Sequence, residues 1–162
     1  MDANTGIAIC AAVIALGSLW TSWVQTRSAR KHNRQSVRPL LQIRRVKRYG
    51  DTTARLDVIN AGLGPAIVTR TLVTLDGETI GQWNLNTYRT VARPLPFYPK
   101  VTTLAEGTAI LIGQKIHLLH IDDYNDEEHR WFWDLITQRM FIEIRYESLY
   151  GGEDFVVRSA LL

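Results

Sequence analysis

The hydrophobic and polar positions divide the chain into two textures. From Ala3 to Thr26 no side chain carries charge, and apolar residues dominate 7–24. After Pro39 the pattern turns to short apolar or alternating runs broken by turn residues. As a helix, the first stretch is about 27 Å long, close to the hydrocarbon thickness of a bilayer. Seven Ile, Val and Leu residues at about −0.5 kcal/mol each favour insertion, and no charge opposes it. This predicts a transmembrane helix with Trp20 and Trp23 as membrane-interface aromatics near one end. A cleaved secretory signal fits less well, because its positive start and small-residue cleavage site are missing. Ala8, Ala11, Ala12, Ala15, Ser18 and Ser22 recur at three- and four-residue steps, a thin face that admits helix–helix self-association or pairing with another membrane subunit.

The second texture predicts eight strands, at 40–48, 55–60, 66–75, 78–83, 108–112, 115–121, 141–148 and 154–161, mostly antiparallel. Asp76-Gly77 and Gly151-Gly152 suit tight hairpins. Ile142, Ile144 and Tyr146 alternate with Phe141, Glu143, Arg145 and Glu147, so one face of that strand is wet. The run 66–75, apolar or Thr-bearing on both faces, predicts a central strand. One helix interrupts the series before the last two strands. Asn125 is its predicted cap with Glu128 completing a capping box, and Phe132, Leu135 and Ile136 form its inner stripe. The proline-rich stretch 88–104 reads as an extended connection. The expected fold is therefore mainly β: an N-terminal transmembrane helix followed by an immunoglobulin-like antiparallel β-sandwich with one short inserted helix. The expected domains are an anchor with a basic juxtamembrane helix at 1–36 and the sandwich at 37–162.

Charge sharpens this picture. The net charge of +3 hides nine Lys/Arg and no acid between Arg27 and Arg48, whereas the remainder of the chain after it is mildly acidic. Arg27, Arg30, Lys31, Arg34 and Arg38 share one face if the helix continues, which makes them candidate membrane-surface residues against an anionic leaflet. An ordinary topology signal explains the same residues. The positive-inside rule then places the N-terminus outside and the β domain in the cytoplasm of a bacterial inner membrane. Nucleic acid is a poor partner, since few aromatics interleave with these cations and no binding fold is recognisable. The single Cys10 leaves no internal disulfide and no cysteine zinc cluster.

No catalytic residues emerge. Gly62-Leu63-Gly64 is followed by Pro65 and a β-branched run, so no helix follows to cap a phosphate, and no Walker loop is present. Asn60, Gly62, Gly64 and Pro65 instead read as a structural turn, with the glycines supplying unusual backbone angles and Asn60 satisfying exposed backbone groups. His117 and His120 are the best metal candidates, but on a regular strand they point to opposite faces and cannot share an ion without a bulge. The acids Asp122, Asp123, Asp126, Glu127 and Glu128 lack EF-hand spacing. No cofactor and no metal are expected. Phe97 and Tyr98 in the proline stretch, with Trp131 and Trp133 on the inserted helix, are the candidate partner-binding residues.

The pattern Asn60-Ala61-Gly62-Leu63-Gly64-Pro65-Ala66 between two strands, with Asp76-Gly77 about ten residues later, resembles the B–C region of immunoglobulin-like sandwiches of the bacterial CARDB type. Together with the anchor, the run from His32 to Pro39 and the run from Tyr146 to Gly151, it is similar to a set of single-pass bacterial membrane proteins. The resemblance covers about half the chain in short motifs. It implies an adhesion-like module without an active site. Such modules are usually exported, whereas the charge pattern here points to the cytoplasm. The expected function is a membrane-anchored accessory or scaffold module that binds another membrane or cytoplasmic protein and has no catalysis of its own. The alternatives are an envelope-facing sandwich binding extracytoplasmic partners and, third, a membrane-tethered hydrolase.

Overall fold

The computed structural model describes residues 3–47 and 52–159, with the side chains of 3–5, 7–11 and 28–36 outside the described set. The chain divides into two compact units, Met1–Ser36 and Val37–Leu162. The first is one helix, α1 (Ala3–Ser36). Its described hydroxyl side chains turn back onto the helix: Ser18 Oγ donates to Ile14 O at 2.8 Å and Thr26 Oγ1 to Ser22 O at 2.8 Å.

Among the described residues, no helix is long and apolar enough to cross a membrane. The expected transmembrane span at 7–24 is corrected accordingly. That expectation counted seven Ile, Val and Leu residues over 7–24, and the side chains of 7–11 lie outside the described residues. Between Leu16 and Arg27 the described side chains are interrupted by Ser18, Thr21, Ser22, Gln25 and Thr26, which lower the hydropathy of the stretch without adding charge.

The second unit is mainly β, with two antiparallel sheets. One sheet has the order β1 (Leu41–Lys47), β2 (Ala54–Asn60), β7 (Lys115–Ile121), β5 (Lys100–Val101). The other runs β4 (Glu78–Gly81), β3 (Ala66–Leu75), β8 (Met140–Ser148), β9 (Phe155–Arg158), with β6 (Ala109–Ile110) also on β3. As its apolar composition requires, β3 lies inside its sheet. β8 alternates as its sequence dictates, burying Met140, Ile142, Ile144, Tyr146 and Ser148. The core between the sheets is built from Leu56, Val58, Val68, Val73, Leu118, Leu119 and these β8 residues, with Trp83 fully buried. The Asp76-Gly77 hairpin has φ of 51° and 88°, the positive values its residues favour. Asp76 also accepts a bidentate pair from Arg139, at 2.8 and 2.6 Å.

Two helices, not one, interrupt the strands. α2 (Leu85–Ala92) occupies the start of the stretch expected to be an extended connection. Asn84 caps it by accepting from Asn86 N and Thr87 N, each at 3.0 Å, and Thr87, Tyr88, Val91 and Ala92 form its buried face. The β-branched residues and the prolines just beyond masked this short amphipathic turn. Tyr88 Oη donates to Pro99 O at 2.5 Å, folding the proline-rich segment back over the helix. α3 (Asp126–Asp134) passes directly into a π-helical turn, Leu135–Arg139.

The Asn60 turn is the densest polar contact in the unit. Asn60 is fully buried; its Oδ1 accepts from Leu40 N (3.3 Å) and Gly62 N (3.0 Å), and its Nδ2 donates to Gly64 O (2.8 Å) and Ile110 O (2.9 Å). The glycines are needed for a different reason from the one expected. Gly62 and Gly64 are not among the glycines with positive φ. Instead a Cβ on Gly62 would stand 2.3 Å from Leu40 N, and one on Gly64 would stand 1.9 Å from Val37 O. They are there to let two backbones approach closely, with Pro65 leading out into β3.

Substitutions test this packing directly. Gly64→Ala should cost about 1–3 kcal/mol or more through overpacking, and Asn60→Ala more than about 3 kcal/mol by orphaning several buried backbone groups. Leu63→Ala, at an exposed position, should stay within about 0.5 kcal/mol; denaturant unfolding measures all three. In the second sheet Glu143 accepts from Arg158 (2.7 Å) and Arg145 (3.0 Å), and the Arg158 hydrogen bond is the main cause holding its carboxyl below the ordinary 4.5. A depressed folded pKa means stability that is complete above the unfolded value and lost as pH falls through the folded one. Glu143→Gln should therefore flatten the decline of the unfolding midpoint below about pH 4.5, as seen in a pH series of thermal melts.

Candidate functional site

The expected partner residues come from two segments that the fold brings together around one histidine. α3 begins where Asn125 Oδ1 accepts from Glu127 N at 3.0 Å. The reciprocal arm of the cap is not Glu128, as expected, but His129, whose Nδ1 accepts from Asn125 N at 3.0 Å. That bond pins the imidazole at the helix start. Around it stand the rings of Tyr124 (5.9 Å between centroids), Phe97 (6.4 Å, edge-on) and Trp131 (6.5 Å, edge-on). Phe97 and Tyr98 are 56% and 62% exposed, so they project from the surface rather than wrap the core. Trp131 and Trp133 are half-buried and packed against the core margin.

Beside the rings lies a charged cleft of about 480 Å³, lined by Lys47, Asp126, Arg130, Trp133, Asp134 and Gln138. Lys47 bonds to Asp126, and its ammonium sits 5.3 Å from the Tyr124 ring and 5.4 Å from the Trp133 ring. Tyr124 Oη donates to the same carboxylate at 2.9 Å. The hydrogen bond from Lys47, then that from Tyr124, holds the Asp126 carboxyl below its usual range; the same pairing raises the lysine. The surface thus has apolar rings at its centre and paired charges beside them. His129, Tyr124 and Lys47 escaped the sequence reading. The spacing of Asn125 and His129, one helical turn apart at a helix start, was the signal available for the first.

The other expected residues are dispersed. On α1, Trp20 and Trp23 are 67% and 52% exposed with ring centroids 5.8 Å apart, and the Arg27 guanidinium lies 4.4 Å from the Trp23 centroid. This is an intrahelical ladder at three- and four-residue spacing. The side chains of Arg30, Lys31 and Arg34 lie outside the described residues. Arg38 does not extend the helical stripe, because α1 ends at Ser36; its guanidinium instead covers the Phe155 ring at 4.9 Å in the β unit.

The histidines on β7 also differ from expectation. A register shift falls between Leu56 and Asp57, so that Asp57 pairs with His117 while Leu56 pairs with Leu119. Leu118 and Leu119 are consecutively buried, and the bulge returns both imidazoles to one face, with centroids 5.6 Å apart. Among the described residues, no three His, Cys, Asp or Glu are grouped to hold a metal ion together.

Residues 5–160 match a family model described as a domain of unknown function, DUF8453. The chain belongs to that family. The DUF8453 match takes in the β unit almost entirely and α1 with it, and brings no activity to transfer. No curated protein matches the chain.

If His129 is the pin of this surface, His129→Ala should lower stability by about 1 kcal/mol, the ordinary value of a helix cap. Trp131 emission should shift at the same time. Glu128→Ala, which removes no cap bond, should do neither.

Proposed function

We propose that the β unit is a protein-binding module whose contact surface is centred on Phe97, Tyr98, Trp131 and His129, and that it acts as an accessory or scaffold component without catalysis of its own. The observation that carries this reading is the exposure of Phe97 and Tyr98 on a segment fastened at its base by the Tyr88 to Pro99 hydrogen bond. Exposed aromatic rings cost solvation, and when they are held by a rigid base they lose little entropy on binding. Aromatic anchors of this kind supply most of the energy of protein interfaces. The cleft bordered by Lys47, Asp126 and Arg130 supplies a polar margin that favours a folded protein with both signs of charge over a purely apolar ligand.

A photo-crosslinking residue placed at Tyr98 in the full chain tests this. We expect one discrete protein adduct in the native host, reduced at least about tenfold by a second-site Trp131→Ala, the effect of removing a hot-spot ring. The same probe at Leu149, exposed in the β8–β9 connection, should give none. Equal labelling from both positions, or indifference to Trp131→Ala, would remove the proposal.

A further inference from the structure

The outer face of the first sheet carries a second arrangement, independent of the aromatic surface. Asp57 is 1% exposed, and its Oδ1 lies 2.6 Å from His117 Nδ1. An ionised carboxylate accepts only, so the imidazole Nδ1 carries the hydrogen that faces it, and Nε2 is the ring nitrogen left for a ligand. Among the described residues the second oxygen of Asp57 has no hydrogen-bond partner, and Arg55 Nε lies 3.9 Å from it. His120 Nδ1 is likewise buried without a partner, which leaves Nε2 as the nitrogen that a ligand can reach. Both imidazoles thus have their Nδ1 sides directed to the sheet, on one face, because of the bulge at Leu56/Asp57.

We propose that His117 and His120 form a two-imidazole site for a late first-row divalent transition metal, such as Zn²⁺, Co²⁺ or Ni²⁺, with Asp57 orienting His117 from behind. Imidazole nitrogen suits these ions rather than Mg²⁺ or Ca²⁺. Two histidines bound to one ion at about 2.0–2.1 Å, near the tetrahedral angle, place their ring centroids roughly 5 Å apart. The observed 5.6 Å needs only a small side-chain adjustment to reach that. A carboxylate behind a ligating histidine fixes the tautomer and raises its donor strength, which accounts for an acid buried in the middle of a sheet. Of the neighbouring cations, Lys100 is engaged with Asp122 at 2.5 Å and Arg44 with Gln42 at 2.6 Å, while Arg55, opposite His120 in the ladder, keeps its Nε 3.9 Å from Asp57 Oδ2. The chain contributes two ligands, and water completes the coordination. A bulge retained next to a site commonly serves to re-aim a side chain in this way.

The test uses the full chain, stripped with chelator, and titrates Co²⁺ by its visible absorption, followed by Zn²⁺ competition. One saturable equivalent is expected. His117→Ala and His120→Ala should each abolish it, Asp57→Asn should weaken it about 10–100-fold, and His129→Ala should leave it unchanged. Near-UV circular dichroism establishes that each variant is folded. Should Asp57→Asn fail to fold, substitution of the two half-exposed histidines still decides whether the site exists. The proposal is overturned if the wild-type chain shows no saturable binding, or if folded His117→Ala or His120→Ala binds with wild-type affinity. Undiminished binding by folded Asp57→Asn would remove the role assigned to the carboxylate.

Discussion

A single buried carboxamide holds the two sheets in register. Asn60 sits at the end of β2, yet its four side-chain bonds reach the entry to β1, both glycines of the following turn, and β6 in the opposite sheet. Asparagine can serve all of them because it offers acceptor and donor atoms on one rigid plane. Asp would lose the donors, and Leu would leave backbone groups unpaired in a place that water does not reach. Leu41 N adds a second crossing, donating to Tyr146 Oη at 3.2 Å on β8. The glycines belong to the same constraint: with no Cβ, the turn can lie against residues 37–40, and only at that separation do the carboxamide bonds form.

Period-two patterning made the strands legible. β3 and β7 begin and end where their apolar runs do, and β8 buries every second residue. The turn chemistry of Asp76-Gly77 was equally plain. α2 was not, because eight residues are too few for a periodic signal to outweigh three nearby prolines, and its cap Asn84 reads equally as a turn residue. Beyond the reach of local pattern lay anything that depends on partner strands. The role of Gly62 and Gly64 could be narrowed to a turn, but the need for glycine came from Val37 and Leu40, some two dozen residues away. On α1 the apolar count at 7–24 gave no weight to the hydroxyl and amide side chains from Ser18 to Thr26 that dilute the run.

The candidate surfaces show the same division. Phe97, Tyr98, Trp131 and Trp133 stood out by composition, since large rings in a proline-rich stretch or at a helix margin are conspicuous. The imidazole that joins Phe97 to Trp131 did not, because His129 acquires its place from a cap bond and from a segment thirty residues earlier. For His117 and His120 the strand rule gave the wrong face. Their actual placement depends on one extra residue in β7 opposite Leu56 and Asp57, a local irregularity with no signature in the chain.

The π-helical turn between α3 and β8 has a bearing on the whole second sheet. Its wide pitch lets three successive side chains, Leu135, Ile136 and Thr137, all point inward, and Arg139 then reaches back to clamp Asp76. An ordinary α-helical turn there would use one residue fewer. Because a strand has only two sides, that single residue sets the parity of β8: without it Phe141, Glu143 and Arg145 would face inward in place of Ile142, Ile144 and Tyr146. The length of this segment is thus a counting device, and sequence drift can exchange its residues far more freely than it can change their number.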